Sequence, residues 1–264
     1  MSERVQLTIE NAVATVRMSR ADKRNALDAE MFDGLIGAGK RVIANREVRA
    51  VVLHGEGKAF CAGLDFASFL GSPALMEKLL TRGDESPANM AQRAAWIWQE
   101  VRVPVIAAVH GVAFGGGLQI ALGADIRYVA PDAQLSVMEI KWGLIPDMSI
   151  TQTLCGLVPI DVAKELTFTG RIISGAEAVT LGLATKVSSD PLADALETSK
   201  LIASKSPHAI QAGKALLRDA PGMSRAEALK LETSLQRTLL GSRNQVEAVQ
   251  ANMMKREPSF ENPE

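Results

Sequence analysis

Apolar and polar residues alternate through residues 5–10 and 12–18 on either side of Glu10-Asn11, a period of two that predicts a β-hairpin. A polar loop, SRADKRN, follows over 19–25. Residues 26–44 then switch to a helical period, with Leu27, Met31, Leu35, Ile36 and Val42 on one face and Asp28 near the start. Residues 50–54 form a continuous apolar run of the length of a buried strand, followed by a turn over 55–59. The segment 60–70 reads FCAGLDFASFL, and 71–87 mixes Gly, Ser, Pro and charges, as expected of a mobile segment with a helical stretch at 75–80. A helix over 89–101 leads to a strand over 103–109, a helix over 118–124, and strands over 126–130 and 134–137.

Beyond that point Gly143 and Pro146 break residues 139–146 into a loop, and 149–157 and 160–167 are helical. Residues 170–173 are short and extended, Ser174 caps a helix running to Leu181, and 184–187 form a last strand. Helices follow over 191–204, 207–218 and 224–255, and no residue-level repeat of solenoid length is visible. Strands alternating with helices to about residue 190, then helices alone, predict an α/β core over 1–190 and a helical region over 191–264. The stripe Ala228, Leu231, Leu235 and Leu239 calls for a partner surface, and a second subunit would supply one.

One stretch inside this pattern carries candidate chemistry. In HGVAFGGGLQIALGADI (110–126), Gly115, Gly116 and Gly117 stand between an apolar strand and a helix start. Glycine admits backbone conformations closed to other residues and lets a ligand approach without meeting a Cβ. Unpaired N–H groups at a helix start complete a device that holds a phosphate or a developing oxyanion. No P-loop Lys-Ser/Thr and no dinucleotide spacing accompanies the glycines, which argues against a nucleotide phosphate.

Composition narrows the choice. The 264 residues carry a formal net charge of −1 with 22% charged and 4% aromatic residues, which gives no electrostatic or stacking case for nucleic acid or an anionic membrane. No apolar run reaches the length of a membrane span, and MSERVQLTIE lacks the apolar core of a secretory signal. Cys61 and Cys155 are far apart and lack metal spacing, so a reduced, cytoplasmic setting and no metal are expected. His54 and His110 fall in no nucleophile or metal pattern and read as structural, as does His208 at a helix start.

Five motifs in order now support a resemblance: DKRNALD (22–28), FCAGLD (60–65), the triple-glycine run, MEIKWGLIPD (138–147) and LTFTGRIISGAEAVTLGLATKV (166–187). Together they span almost the whole chain, which resembles the crotonase, or enoyl-CoA hydratase/isomerase, superfamily. The resemblance implies a spiral of ββα turns, a C-terminal helical trimerisation region, assembly as a homotrimer or a hexamer (a dimer of trimers), and action on acyl-CoA thioesters. CoA would enter as part of the substrate, with no separate cofactor.

Carried over residue by residue, the resemblance implies an oxyanion hole formed by the main-chain N–H groups of Leu64 and Gly116. Two fixed donors aimed at the thioester oxygen stabilise the enolate left when the α-carbon loses its proton. The two-glutamate hydratases carry an acid at the position of Gln119, and amides do not exchange protons near neutral pH. Their second glutamate is matched by Glu139. Asp147, eight residues later, stands where many hydratases carry glycine. Acidic residues at both of these positions resemble the dienoyl-CoA isomerases, although those are acidic at position 119 as well. The leading expectation is therefore a double-bond isomerase with Glu139 and Asp147 as its acid/base pair. Hydration by Glu139 with a water held by Gln119 is one alternative. A non-catalytic acyl-CoA-binding protein is another. An N-cap role for Asp147 ahead of the 149–157 helix competes with the catalytic one.

The family's CoA-cradling regions match Lys23, Arg24 and Ala26, and Ala62, Gly63, Leu64, Asp65 and Phe66. Gly115, Gln119 and Trp142 line the expected pocket. Lys255 and Arg256 are further candidates for phosphate contacts, and Phe260 for covering the adenine or acyl end.

Overall fold

The computed structural model describes residues 4–69, 73–84 and 86–263. The chain opens with an antiparallel hairpin, β1 (Val5–Glu10) and β2 (Val13–Met18), turned through Asn11 and Ala12. Asp28 accepts a hydrogen bond from the Met31 N–H at 2.9 Å and so caps α1 (Ala29–Ala44), which leads to β3 (Ala50–Gly55). Next come the short helices α2 (Phe66–Phe69) and α3 (Pro73–Leu80), then α4 (Met90–Glu100), started by a capping box between Asn89 and Gln92. Gly71, Ser72 and Glu85, inside the segment expected to be mobile, lie outside the described residues.

The middle of the chain runs β4 (Val105–Val109), β5 (Val112–Phe114), α5 (Gly116–Leu122), β6 (Ile126–Val129) and β7 (Gln134–Ser136). A 3₁₀ turn over Glu139–Trp142 precedes α6 (Ile150–Thr153), α7 (Ile160–Thr169), β8 (Ile173–Ser174), α8 (Gly175–Leu181) and β9 (Lys186–Val187). The remainder is helical: α9 (Pro191–Ala203), α10 (Pro207–Asp219), α11 (Arg225–Leu239) and α12 (Arg243–Met254).

Six strands form one sheet in the order β1-β2-β3-β4-β6-β9, parallel from β2 onward, and β5-β7-β8 form a second. Successive strands feed the two sheets in turn: β4 then β5, β6 then β7. This is a mixed α/β architecture whose repetition lies in the winding and not in residue identity.

Strand alternation divides the large sheet into two faces. Val16, Val51, Leu53, Val105 and Ala107 join α1 and α4 in the main core, around Phe32, Leu35 and Trp98. Val13, Val52, Ile106 and Ala108 point the other way and meet Ala195 and Ala203 of α9. The helical region expected from residue 191 thus opens with a helix that closes the back of the sheet.

Several expected elements differ. β5 lies inside the glycine-rich run, where no strand is expected from sequence, and its partner β7 is twenty-odd residues away. The helix expected over 149–157 is one turn of α6 followed by a 3₁₀ turn at Leu154–Gly156. The single helix expected over 224–255 is two, α11 and α12, because Gly241 adopts a φ of +74° between them. The stripe Ala228, Leu231, Leu235 and Leu239 is half-buried, with α11 packed on α10, while Leu229 and Leu240 are exposed.

Candidate active site

Two backbone donors converge where the small sheet meets α5. A parallel bridge pairs Leu27 with Leu64: the Leu27 N–H donates to the Gly63 carbonyl and the Asp65 N–H to the Leu27 carbonyl. That pairing turns the Leu64 N–H to the opposite side of its strand. A second bridge, Cys61 to Ala113, lays the same loop along β5: the Cys61 N–H donates to the Val112 carbonyl and the Phe114 N–H to the Cys61 carbonyl. Gly116 is the first residue of α5, so its N–H has no acceptor within the helix. Among the described residues neither the Leu64 nor the Gly116 N–H makes a hydrogen bond. Their closeness depends on Gly63, with φ +87°: a Cβ there would lie 2.6 Å from the Phe114 carbonyl oxygen and 3.7 Å from the Gly116 nitrogen.

The candidate carboxylate stands beside these donors. A Cβ on Gly115 would lie 3.2 Å from Glu139 Oε1, so the absence of a side chain there makes room for the acid. Gln119, 1% exposed, fixes its orientation. The Met148 N–H can only donate, and it donates to Gln119 Oε1 at 2.8 Å. The Gln119 amide nitrogen must therefore face the other way, and it donates to Glu139 Oε1 at 2.6 Å. Glu139 Oε2 is buried with no hydrogen-bond partner among the described residues. Burial pushes the Glu139 carboxyl above the usual carboxylate range, against the pull of its own backbone N–H and of Gln119, and the charge of Asp147 adds to the rise. Asp147 is solvent-accessible at the cavity mouth, and partial desolvation raises its carboxyl too. It caps no helix: Ser149 stands between it and α6 with φ +64°, and α6 has no side-chain cap.

Leu64, Gly116, Glu139 and Asp147 all line one cavity of about 280 Å³. Ala62, Gly63, Leu64, Gly115 and Gly116 form its backbone-rich wall, and Glu139 and Asp147 are its ionisable groups. Phe66 and Trp142 also line it, with ring centroids 4.5 Å apart, so the aromatic ring of one wall meets that of the other. Gln119 lies behind the wall, touching the cavity through Glu139.

Other expected site residues are placed elsewhere. Lys23 and Arg24 are exposed on the loop before α1 and do not line the cavity; nor does Ala26, whose carbonyl accepts from Arg20 Nη1 at 3.1 Å. Asp65 accepts from the Ser68 hydroxyl and pairs with Arg20 at 2.8 Å, the first more than the second holding its carboxyl below the usual range. Arg256 is committed to Glu247 at 2.6 Å, and Lys255 caps the end of α12. The Phe260 carbonyl is held by Arg49 at 2.8 Å, and its ring lies outside this cavity. His54 Nδ1, His110 Nε2 and His208 Nδ1 contact the Gly55 carbonyl, the Gly57 carbonyl and Asn244 respectively.

Sequence reasoning passes over Asn25. This residue is fully buried at φ +56°, its Nδ2 lies within 3.2 Å of the carbonyls of Glu56, Ala59 and Phe60, and its Oδ1 accepts from the Arg20 N–H. It ties the loop before α1 to the segment that carries Leu64. Its motif DKRNALD is visible in the sequence, but nothing in a polar loop marks which residue will be buried.

The chain is similar to known proteins along nearly its whole length. Residues 8–263 match the family described as enoyl-CoA hydratase/isomerase. The chain is 32% identical to a peroxisomal Δ(3,5)-Δ(2,4)-dienoyl-CoA isomerase of Arabidopsis thaliana, over 98% of this chain and 96% of that protein. It is also 32% identical to a probable enoyl-CoA hydratase of Bacillus subtilis, over 97% and 98%. Among solved structures, an enoyl-CoA hydratase from Bacillus anthracis superposes with a TM-score of 0.90 at 27% identity, over 97% of this chain and 98% of that one.

Proposed function

Since the chain belongs to the enoyl-CoA hydratase/isomerase family, we propose that it shifts double bonds in an unsaturated acyl-CoA thioester, with Glu139 and Asp147 exchanging the protons. The observation that carries this reading is the pinned amide of Gln119. Bonded to the Met148 N–H and to Glu139, it offers no acid for a two-carboxylate hydration, while the second ionisable group facing the cavity is Asp147.

The chemistry balances on the residues present. With the thioester oxygen between the Leu64 and Gly116 N–H groups, one carboxylate takes a proton from C2 of a 3,5-dienoyl chain. The negative charge spreads to the thioester oxygen and along the diene. The other carboxyl returns a proton at C6, leaving the 2,4-diene with an unchanged formula. Both carboxyls sit above their ordinary range, which brings the acid form closer to neutral pH, where a general acid works best. The donors cost no reorganisation, since loop and sheet already hold them.

The test is turnover of a 3,5-dienoyl-CoA beside crotonyl-CoA. Isomerisation of the diene, abolished in Glu139→Gln and Asp147→Asn, supports the reading. Water addition to crotonyl-CoA alone would favour the hydratase, and tight binding without turnover of either would favour a binding protein. Assembly as a trimer or hexamer belongs to the same proposal, supported by the exposed Leu217, Leu229, Leu240 and Met253 of the helical tail.

A further inference from the structure

The cavity wall beyond the reacting groups says what acyl chain would fit. It is drawn from three elements outside the donor loop: Phe32 of α1, Met76, Leu79 and Leu80 of α3, and Ala91 of α4. The loop after Glu139 adds Leu144 and Ile145. No Ser, Thr, Asn, Lys, Arg or His lines the cavity among the described residues, so Glu139 and Asp147 are its ionisable side chains. A carboxylate, hydroxyl or amide on the acyl group would find no side-chain partner there except the two carboxyls and the indole N–H of Trp142, and a second negative charge would meet repulsion from the carboxyls.

The wall is also uncapped. Met76, Leu80, Leu144 and Ile145 line the cavity and are exposed to solvent as well, Ile145 by 76%. Exposed apolar side chains continuous with a binding cavity are what a hydrocarbon longer than the cavity would cover.

We infer that the acyl arm takes an uncharged hydrocarbon long enough for its tail to run out over Met76, Leu80, Leu144 and Ile145, and that it rejects acyl groups bearing a second carboxylate. This rests on the isomerase reading for its reactive end and on the apolar wall alone for its chain length.

The test is kcat/KM over straight-chain 3,5-dienoyl-CoAs of increasing length, with an eight-carbon 3,5-dienoyl-CoA ending in a carboxylate as the charged probe. Each methylene added between six and ten carbons should raise kcat/KM about fourfold. Leu80→Ser, at an exposed position, should flatten the rise, and Ala91→Leu should shift the optimum to shorter chains. Equal kcat/KM for six and twelve carbons, or the carboxylate-ended eight-carbon diene processed as well as the uncharged eight-carbon diene, would overturn the inference. If no chain length turns over, the isomerase reading fails. The affinities of saturated acyl-CoAs from six to twelve carbons then decide chain length: tightening per methylene upholds it, and a flat series refutes it.

Discussion

Lys214 is buried and Glu139 half-buried with one oxygen shut away from solvent, and the protein treats the two ionisable groups in opposite ways. Lys214 Nζ meets Asp125 at 2.8 Å and donates to the carbonyls of Trp98 and Val103 at 2.9 and 3.0 Å. Asp125 in turn accepts from the Val105 N–H. Every hydrogen of the ammonium group is used, and the cluster staples α10 to the ends of α4 and β4. Glu139 has one oxygen held by Gln119 and the other left without a partner, facing a cavity with two unused N–H groups nearby. A charge that serves the fold is neutralised. One placed for chemistry is held in position and left short of partners.

The largest effects should separate the two sites. Glu139→Gln should lower kcat by about 10²–10⁴-fold, and Asp147→Asn by a similar factor. Yet Glu139→Gln should not destabilise the protein at neutral pH. With the folded carboxyl raised, the native state binds more protons than the unfolded chain between the ordinary and the raised values, so stability falls as pH rises through that window. The amide removes that loss, and urea unfolding should show an unchanged or higher midpoint.

Lys214→Met should do the reverse. It leaves Asp125 without its counter-charge, and a loss of about 3 kcal/mol in denaturant unfolding is expected with kcat unchanged. A large drop in kcat would break the contrast. A smaller effect is expected of Gln119→Met, which leaves the Met148 N–H unpaired and removes the donor that pulls the Glu139 carboxyl down. Activity should fall about tenfold, and the acid limb of the pH profile of kcat/KM should move to higher pH. Loss of activity without that movement would reduce Gln119 to packing.

Much of this was legible in the chain. The continuous apolar run that lets β3 bury Val51 and Leu53 on one face and Val52 on the other is visible in the residues, as are the helix starts at Asp28 and Ser174; the capping box at Asn89 emerges only in the fold. The glycine cluster and the two acids were visible as motifs. What escaped depends on distant pairing or on single backbone angles. β5 is three residues long and exists through β7; the break at Gly241 interrupts no hydrophobic period. Arg256 looked available for a phosphate because a linear sequence does not show Glu247 folded against it. Gln119 read as a pocket liner, since only the fold reveals that Met148 fixes which way its amide points.

The most direct measurement is the structure of a complex with an unreactive acyl-CoA such as octanoyl-CoA. The thioester oxygen is predicted to lie about 2.7–3.1 Å from both the Leu64 and Gly116 nitrogens, with the Glu139 carboxylate against C2. A thioester oxygen bound away from those two amides, or a Glu139 carboxylate turned into bulk solvent in every subunit, would contradict the central claim.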